Sequence, residues 1–171
     1  EPAPDANHSF SITALDPNNP AELRAVPGRF EGEREDGAKV PVDAVCPIDV
    51  SAYLDGKELD LKEGMTAAVD IPVTDPNSPV EVILWSLAPE SGLWREEGRA
   101  TRITVEGREV YRAVFTHLSW WNGSGAFEHQ IVTALVTLEG APVPGATVEA
   151  VGVTYNFFER TITDGSGSAT L

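Results

Sequence analysis

The most reactive combination in the chain lies in Phe115-Thr116-His117-Leu118-Ser119-Trp120-Trp121-Asn122, where an imidazole and a hydroxyl flank one peptide carbonyl. If this run is a strand, residues i and i+2 share a face, and His117 lies within reach of Ser119. The Ser119 oxygen can then attack the Leu118 carbonyl while His117 removes its proton, giving an ester that water opens. That step also needs a strained peptide and donors for the oxyanion. The same two side chains have a structural reading, in which they hydrogen-bond to loop backbone and lock the edge of a sheet. A full Ser-His-Asp hydrolase is disfavoured: Asn122 or Glu128 can orient an imidazole, but the sequence has no nucleophile elbow.

Trp120 and Trp121 carry a second chemistry, since exposed aromatic rings stack on sugars. A carbohydrate site needs both rings on the surface, yet adjacent strand residues point to opposite faces, so one is expected inside. Trp85 and Trp94, on either side of a tight turn, read as core. Cys46 cannot form an internal disulfide or a zinc cluster and reads as a small core hydrophobe. His8 and His129 are too isolated for a metal pair. No cofactor is expected, calcium on Asp164 being the one alternative, although the nearby Asp and Ser side chains follow no familiar ligand spacing. Asn7-His8-Ser9 and Asn122-Gly123-Ser124 satisfy the glycosylation sequon. Glu31, Glu33, Glu35 and Asp36 read as a solvated loop or hairpin tip.

Short strands must position these groups. The chain has 13 prolines and 15 glycines in 171 residues, which leaves no long helical period, whereas alternating runs bounded by turn residues recur. Phe10, Ile12 and Ala14 alternate with Ser11 and Thr13 until Asp16-Pro17-Asn18-Asn19-Pro20 stops the run. Val80 to Leu87 forms a strand between two turn clusters. Thr101 to Val105 and Arg108 to Thr116 make a hairpin around Glu106-Gly107. Ser51 to Leu61 reads either as a short helix or as a turn at Asp55-Gly56. Asn122-Gly123-Ser124-Gly125 reads as a flexible connector, placing a domain boundary after residue 126. Beyond it, Ile131 to Leu138, Ala146 to Tyr155 and Phe157 to Thr163 read as strands, with Gly140 to Gly145 as a rigid turn and another strand starting at Ser168.

Composition excludes whole classes of partner. With 27 acidic and 12 basic side chains the net charge is −15, which repels phosphate backbones and anionic headgroups. No apolar run approaches the roughly 20 residues of a membrane span, and no signal-like segment stands at the start.

Two resemblances follow from these motifs. Ile83-Leu84-Trp85-Ser86-Leu87, followed by Glu90-Ser91-Gly92-Leu93-Trp94-Arg95-Glu96-Glu97-Gly98, resembles a segment of bacterial extracellular β-sandwich modules and of the ZU-five domains of netrin receptors and zonula occludens proteins. His117-Leu118-Ser119 resembles the His-Phe-Ser strand end of ZU-five domains, with Leu118 in place of Phe. In some of those relatives, in function-to-find domains and in adhesion-receptor autoproteolysis domains, the protein cuts itself before the Ser or Thr, which here implies Leu118-Ser119. Residues 127 to 171, with Gly140 to Ala150, Tyr155 and Thr163-Asp164-Gly165-Ser166-Gly167, resemble the first half of a carboxypeptidase regulatory-like, transthyretin-type β-sandwich. Such modules are non-catalytic spacers and adhesion units.

The combined expectation is an all-β chain: a ZU-five-like β-sandwich over residues 1 to 126, then a second, partial transthyretin-like β-sandwich over 127 to 171. The function expected is a non-enzymatic structural or adhesion module, extracellular or on a bacterial cell surface. It would associate with itself or with neighbouring domains of a modular surface protein. A half sandwich leaves an open edge, and Glu1 to Thr13 could be the strand donated to it, joining copies into a filament. A chain continuing beyond Leu171 explains the half sandwich equally well. Self-processing at Leu118-Ser119 and carbohydrate binding by Trp120 and Trp121 are the alternatives.

Overall fold

The computed structural model describes residues 7–124, 132–153 and 156–171. The first part of the chain forms β1 (His8–Ala14), one helical turn α1 (Pro20–Leu23), β2 (Glu31–Glu33), β3 (Lys39–Pro41), β4 (Ile48–Leu54) and β5 (Lys57–Leu59). It continues with β6 (Ala67–Pro72), β7 (Glu81–Ala88), β8 (Leu93–Val105), β9 (Arg108–Phe115) and β10 (Trp120–Ser124). The second part contributes β11 (Thr133–Leu135), β12 (Thr137–Leu138), β13 (Ala141–Pro142), β14 (Thr147–Val151), β15 (Phe158–Ile162) and β16 (Ser168–Thr170).

In β7, Val82-Ile83-Leu84-Trp85 lacks the polar alternation of a one-sided strand, so the strand must be covered on both faces. It lies centrally, in the order β1-β4-β10-β7-β8-β2-β3, with β5 on β4 and with β9 and then β6 following from β8. Pairing is antiparallel throughout except for a short parallel contact of β2 with β8. On one face Val82 and Leu84 pack with Ile48, Val50 and Trp121, and Tyr111, Ala113, Phe115 and Ile71 of β9 and β6 close over them. The fold is therefore all-β and sandwich-like. On the other face Trp85 and Trp94 pack with Leu23, Val26, Phe30, Val42 and Ala44, joined by the half-buried Ile83, Leu87, Trp120, Phe157 and Phe158.

Strand β8 serves both layers. Residues Leu93 to Thr101 pair with β7, and Thr101 to Val105 pair with β9. Leu84 faces Gly98 while Trp85 faces Glu96, so Glu97 is an extra residue in a bulge. A bulge shifts the alternation by one. Trp94 consequently points into the second cluster and Ala100, also an even-numbered position, into the first.

Turn chemistry follows the sequence closely. Glu106 and Gly107 take φ of 50° and 79°, the left-handed pair of a two-residue hairpin. Asp55-Gly56 is likewise a turn, which settles Ser51 to Leu61 as a hairpin and not a helix. The helical turn falls instead at Pro20–Leu23, where the Asn19 side chain caps Ala21 N–H at 3.0 Å and Pro20 needs no donor partner. Of the acidic cluster, Glu35 and Asp36 sit at the tip of the β2–β3 hairpin as expected, whereas Glu31 and Glu33 belong to strand β2 itself, Glu31 forming an ion pair with Lys39 at 3.2 Å.

One expectation is corrected by packing. Asn122, Gly123 and Ser124 are not a connector but the buried end of β10. Asn122 Nδ2 donates to the Asp43 carbonyl at 2.7 Å and Ser124 Oγ to the Asp43 carboxylate at 2.7 Å. Gly123 lies so close to its neighbours that an added Cβ would stand 2.5 Å from Cys46 Sγ and 2.8 Å from Val82 Cγ2. The Asn122 sequon is thus sealed inside the fold. Residues 125–131, including Glu128 and His129, and residues 154–155, including Tyr155, lie outside the described residues, as do residues 1–6 of the proposed donor segment.

The second unit forms three two-stranded ladders, β11–β16, β12–β13 and β14–β15. A short strand, β13, sits inside what reads in sequence as a rigid turn. Asp164 closes its turn as expected, accepting from Ser166 N–H at 2.8 Å and Ser168 N–H at 3.0 Å. The unit meets the first through Phe157, edge-on to Phe30 with centroids 5.6 Å apart, and through Phe158, which lies under Arg24. Ala44 N–H donates to the Asn156 carbonyl at 2.7 Å.

Packing and charge each give a measurable consequence. Gly123→Ala should lower unfolding free energy by about 1–3 kcal/mol through overpacking, and by less in a Cys46→Ala background; equal losses in both backgrounds would discard the Cys46 contact as the cause. Arg112 grips both Asp70 oxygens at 2.8 and 2.7 Å and holds the carboxyl below the ordinary range, as hydrogen bonds from Thr104 and Arg102 do for Glu109. Lowered carboxylate pKa values add stability above the ordinary carboxylate range and lose it as pH falls through the lowered values. The urea midpoint should therefore fall below about pH 4, and less steeply in Asp70→Asn; unchanged steepness in that variant refutes the Asp70 contribution.

Candidate functional site

The corner between β9 and β10 carries the reactive residues. β9 ends at Phe115 and β10 begins at Trp120, so His117, Leu118 and Ser119 lie in a bend and not in a strand. This corrects the premise that His117 and Ser119 share a strand face. Ser119 Oγ–H donates to the Trp120 carbonyl at 3.0 Å, and His117 Nε2 lies 3.1 Å from Glu97 Oε1. Opposite a carboxylate, which only accepts, that nitrogen carries the proton.

Glu97 is the hub, and the bulge explains why. Its carboxylate also accepts from Ser86 Oγ at 2.5 Å and from Thr116 Oγ1 at 3.3 Å. Ser86 is 3% exposed, so the bond satisfies a buried hydroxyl. The side chains of His117 and Glu97 are only 30% and 27% exposed. The His117 ring lies tilted over Trp121, with centroids 4.8 Å apart, and Trp121 stacks on Phe115 at 4.3 Å. Trp121 Nε1–H donates to the His117 carbonyl at 3.3 Å.

The Leu118-Ser119 peptide is held from both ends. Leu118 N–H donates to Asp60 Oδ1 at 2.7 Å, and the Ser119 carbonyl accepts from Val50 N–H at 3.0 Å. The Leu118 side chain packs on the first apolar cluster. Chemically, Ser86 and His117 both give hydrogens to one carboxylate, while the Ser119 hydroxyl gives its hydrogen to backbone and not to the imidazole. As arranged, the corner is a polar lock built on a bulged glutamate. Asn122 does not orient the imidazole, because its amide serves Asp43.

The aromatic pair divides as the strand alternation requires. Trp121 is 1% exposed and Trp120 is half-buried against the second cluster. The two-ring carbohydrate platform is therefore corrected: one ring of the pair is core. A polar recess of about 320 Å³ lies elsewhere, with Asn18, Asp43, Thr74, Asp75 and Asn156 among its lining residues. Among the described residues no three His, Cys, Asp or Glu side chains gather as metal ligands. The Asp164 carboxylate is engaged by its own turn, whose hydrogen bonds from Ser166 and Ser168 hold its pKa down. Cys46 is buried, which pushes its thiol up to about 12 and leaves it inert.

Sequence reasoning found His117 and Ser119 but missed Glu97, Ser86 and Asp60. The one local signal for Glu97 was Gly98 directly after it, because Trp94 and Ala100 have the same parity and the slip shows only in the pairing with β7. Comparison of the chain with protein-family models, with curated proteins and with solved structures finds no match.

Removing the hub tests the lock. Glu97→Ala leaves the buried Ser86 hydroxyl without its acceptor and should cost about 1–3 kcal/mol, with Ser86→Ala in the same background restoring part of the loss. A Glu97→Ala protein with wild-type thermal stability excludes the lock.

Proposed function

We propose that the chain is a non-enzymatic structural or adhesion module of the bacterial cell exterior, joined to neighbouring modules or further copies by strand pairing. The second unit carries this reading. Its Leu135, Leu138, Val151, Val153 and Ile162 are each more than half exposed. So many large apolar side chains left exposed on so small a unit support a surface that a partner covers. The charge of −15 supports a partner that is neither nucleic acid nor an anionic membrane. No helix of the described residues is long and apolar enough to cross a membrane. The hydrogen bonds at the β9–β10 corner also favour a structural role, since Ser119 is turned to the Trp120 carbonyl and His117 to Glu97.

In this reading the second unit accepts a strand or sheet edge, and a repeated head-to-tail contact builds a filament. Residues His8 to Ala14 of the proposed donor are themselves strand β1 of their own chain, paired with β4 along their whole length. The donor role therefore does not fall to an unpaired N-terminal strand.

Two measurements test the proposal. The denatured protein, after heating, should show one mass for the whole chain; pieces parted between Leu118 and Ser119, abolished by Ser119→Ala, would establish self-processing instead. In sedimentation velocity, the Leu135→Glu, Leu138→Glu double variant should associate about tenfold more weakly than wild type, the loss expected for about 1.4 kcal/mol. Unchanged association in that variant removes the second unit as the contact.

A further inference from the structure

Among the described residues, β1 presents the longest outer edge that is free of charged residues and proline. The strand is seven residues long, His8-Ser9-Phe10-Ser11-Ile12-Thr13-Ala14, and contains no Asp, Glu, Lys, Arg or Pro. It ends the strand order, paired with β4 on one side. The opposite end of that order, β3, is three residues long and carries Lys39 and Pro41, two devices that blunt an edge. Phe10 and Ile12 are 61% and 50% exposed. They stand in register with Ala52 and Val50, on the face where Val50 and Ile48 enter the first apolar cluster. The apolar layer thus runs past the last covered strand and stops in solvent.

The backbone shows which groups the edge offers. Leu15 N–H donates to the Pro47 carbonyl and Asp55 N–H to the Asn7 carbonyl, each at 3.0 Å, so odd-numbered residues turn their amides and carbonyls toward β4. By antiparallel alternation, His8, Phe10, Ile12 and Ala14 turn theirs outward. The occupant is set by charge and by self-complementarity. Two copies of a chain with net charge −15 repel almost everywhere, and β1 is a full strand with no acidic side chain.

We propose that β1 pairs antiparallel with β1 of a second copy of this chain, with Ser11 facing Ser11 of the other copy across the two-fold axis. This register overlaps all seven residues and satisfies the outward groups at four hydrogen-bonded pairs: His8 with Ala14, Phe10 with Ile12, and their symmetry mates. Each Phe10 then lies opposite the other copy's Ile12, an aromatic to β-branched pair. Ser9 lies opposite Thr13 on the other face, hydroxyl against hydroxyl. Because the axis is perpendicular to the sheet, both apolar faces stay on the same side and the two sheets become one. This pairing is independent of the second unit's exposed residues and does not rest on the function proposed above.

One strand pair buries less than the roughly 1,600 Å² of a standard interface, so the dimer should be weak and concentration-dependent. Sedimentation velocity of the full chain carrying Leu135→Glu and Leu138→Glu, which takes away the second-unit contact, should up to millimolar concentration still show a monomer–dimer equilibrium that tightens as salt screens the like charges. Ile12→Pro removes an outward N–H and no bond to β4, and should weaken dimerisation at least tenfold. The register has its own readout. Ser11→Cys should cross-link to a covalent dimer on mild oxidation, because facing residues of a non-hydrogen-bonded pair have Cα atoms about 4.5 Å apart, while Ser9→Cys should not. Wild-type Cys46, being buried, should give no cross-link. A monomer at all concentrations, or more cross-linking in the Ser9→Cys variant than in the Ser11→Cys variant, overturns the proposal. If Ile12→Pro fails to fold, the Ser11→Cys result decides by itself. Association that survives Ile12→Pro but not Leu135→Glu, Leu138→Glu would locate the contact in the second unit and refute pairing through β1.

Discussion

The single extra residue at Glu97 governs the rest of this structure. Without it, β8 would keep one face on one cluster, and Trp94 and Ala100 could not both be buried on opposite sides of the sheet. The bulge lets one 13-residue strand belong to both layers, to β7 over its first part and to β9 over its last. The residue released from the ladder is an acid, and its carboxylate is aimed at the corner where β9 returns to β10. The same slip that divides the apolar side chains between two clusters therefore places the polar hub.

Burial on both faces of β7 makes small residues as important as large ones. Gly123 passes over Cys46 and Val82, and Gly32 passes over Trp85, where an added Cβ would meet the ring at 2.5 Å. The second tryptophan face is too large for the short N-terminal strands to cover, and Phe157 and Phe158 reach it from the second unit. The two units are thus joined through apolar area at one face, while Leu135, Leu138, Val151, Val153 and Ile162 of the second unit lie exposed. Edge β1 has the same character on a smaller scale: satisfied toward β4, unpaired outward among the described residues, and uncharged in a strongly anionic chain.

Legibility differed sharply between kinds of feature. The β7 strand, the β8–β9 hairpin at Glu106-Gly107 and the turn at Asp164 could be read because each depends on side-chain period or on a turn conformation that two or three residues settle. Trp85 and Trp94 were legible as core for the same reason. Asn122-Gly123-Ser124 misled, because small polar residues that look like a linker are here chosen for fit against Cys46, Val82 and Asp43, none of which is near in sequence. The helical turn at Pro20 was hidden inside a cluster of turn residues, although Asn19 followed by Pro20 is a helix start. His117 and Ser119 were found, but the strand geometry assumed for them was not, since a corner and not a ladder holds them.

The amino-acid sequence by itself determined the all-β class, the hairpin at Glu106-Gly107 and the strong negative charge, because alternation, turn preference and charge are properties of neighbouring residues. Only the tertiary structure decided that Glu97 meets Ser86 and His117, that Trp121 is buried while Trp120 is half-buried, and that β1 is the outer strand with one edge unpaired among the described residues. Those outcomes depend on which strands lie side by side and where one register slips. A one-residue shift reverses every side chain after it, and nothing local to the shift shows which partner each side chain then meets.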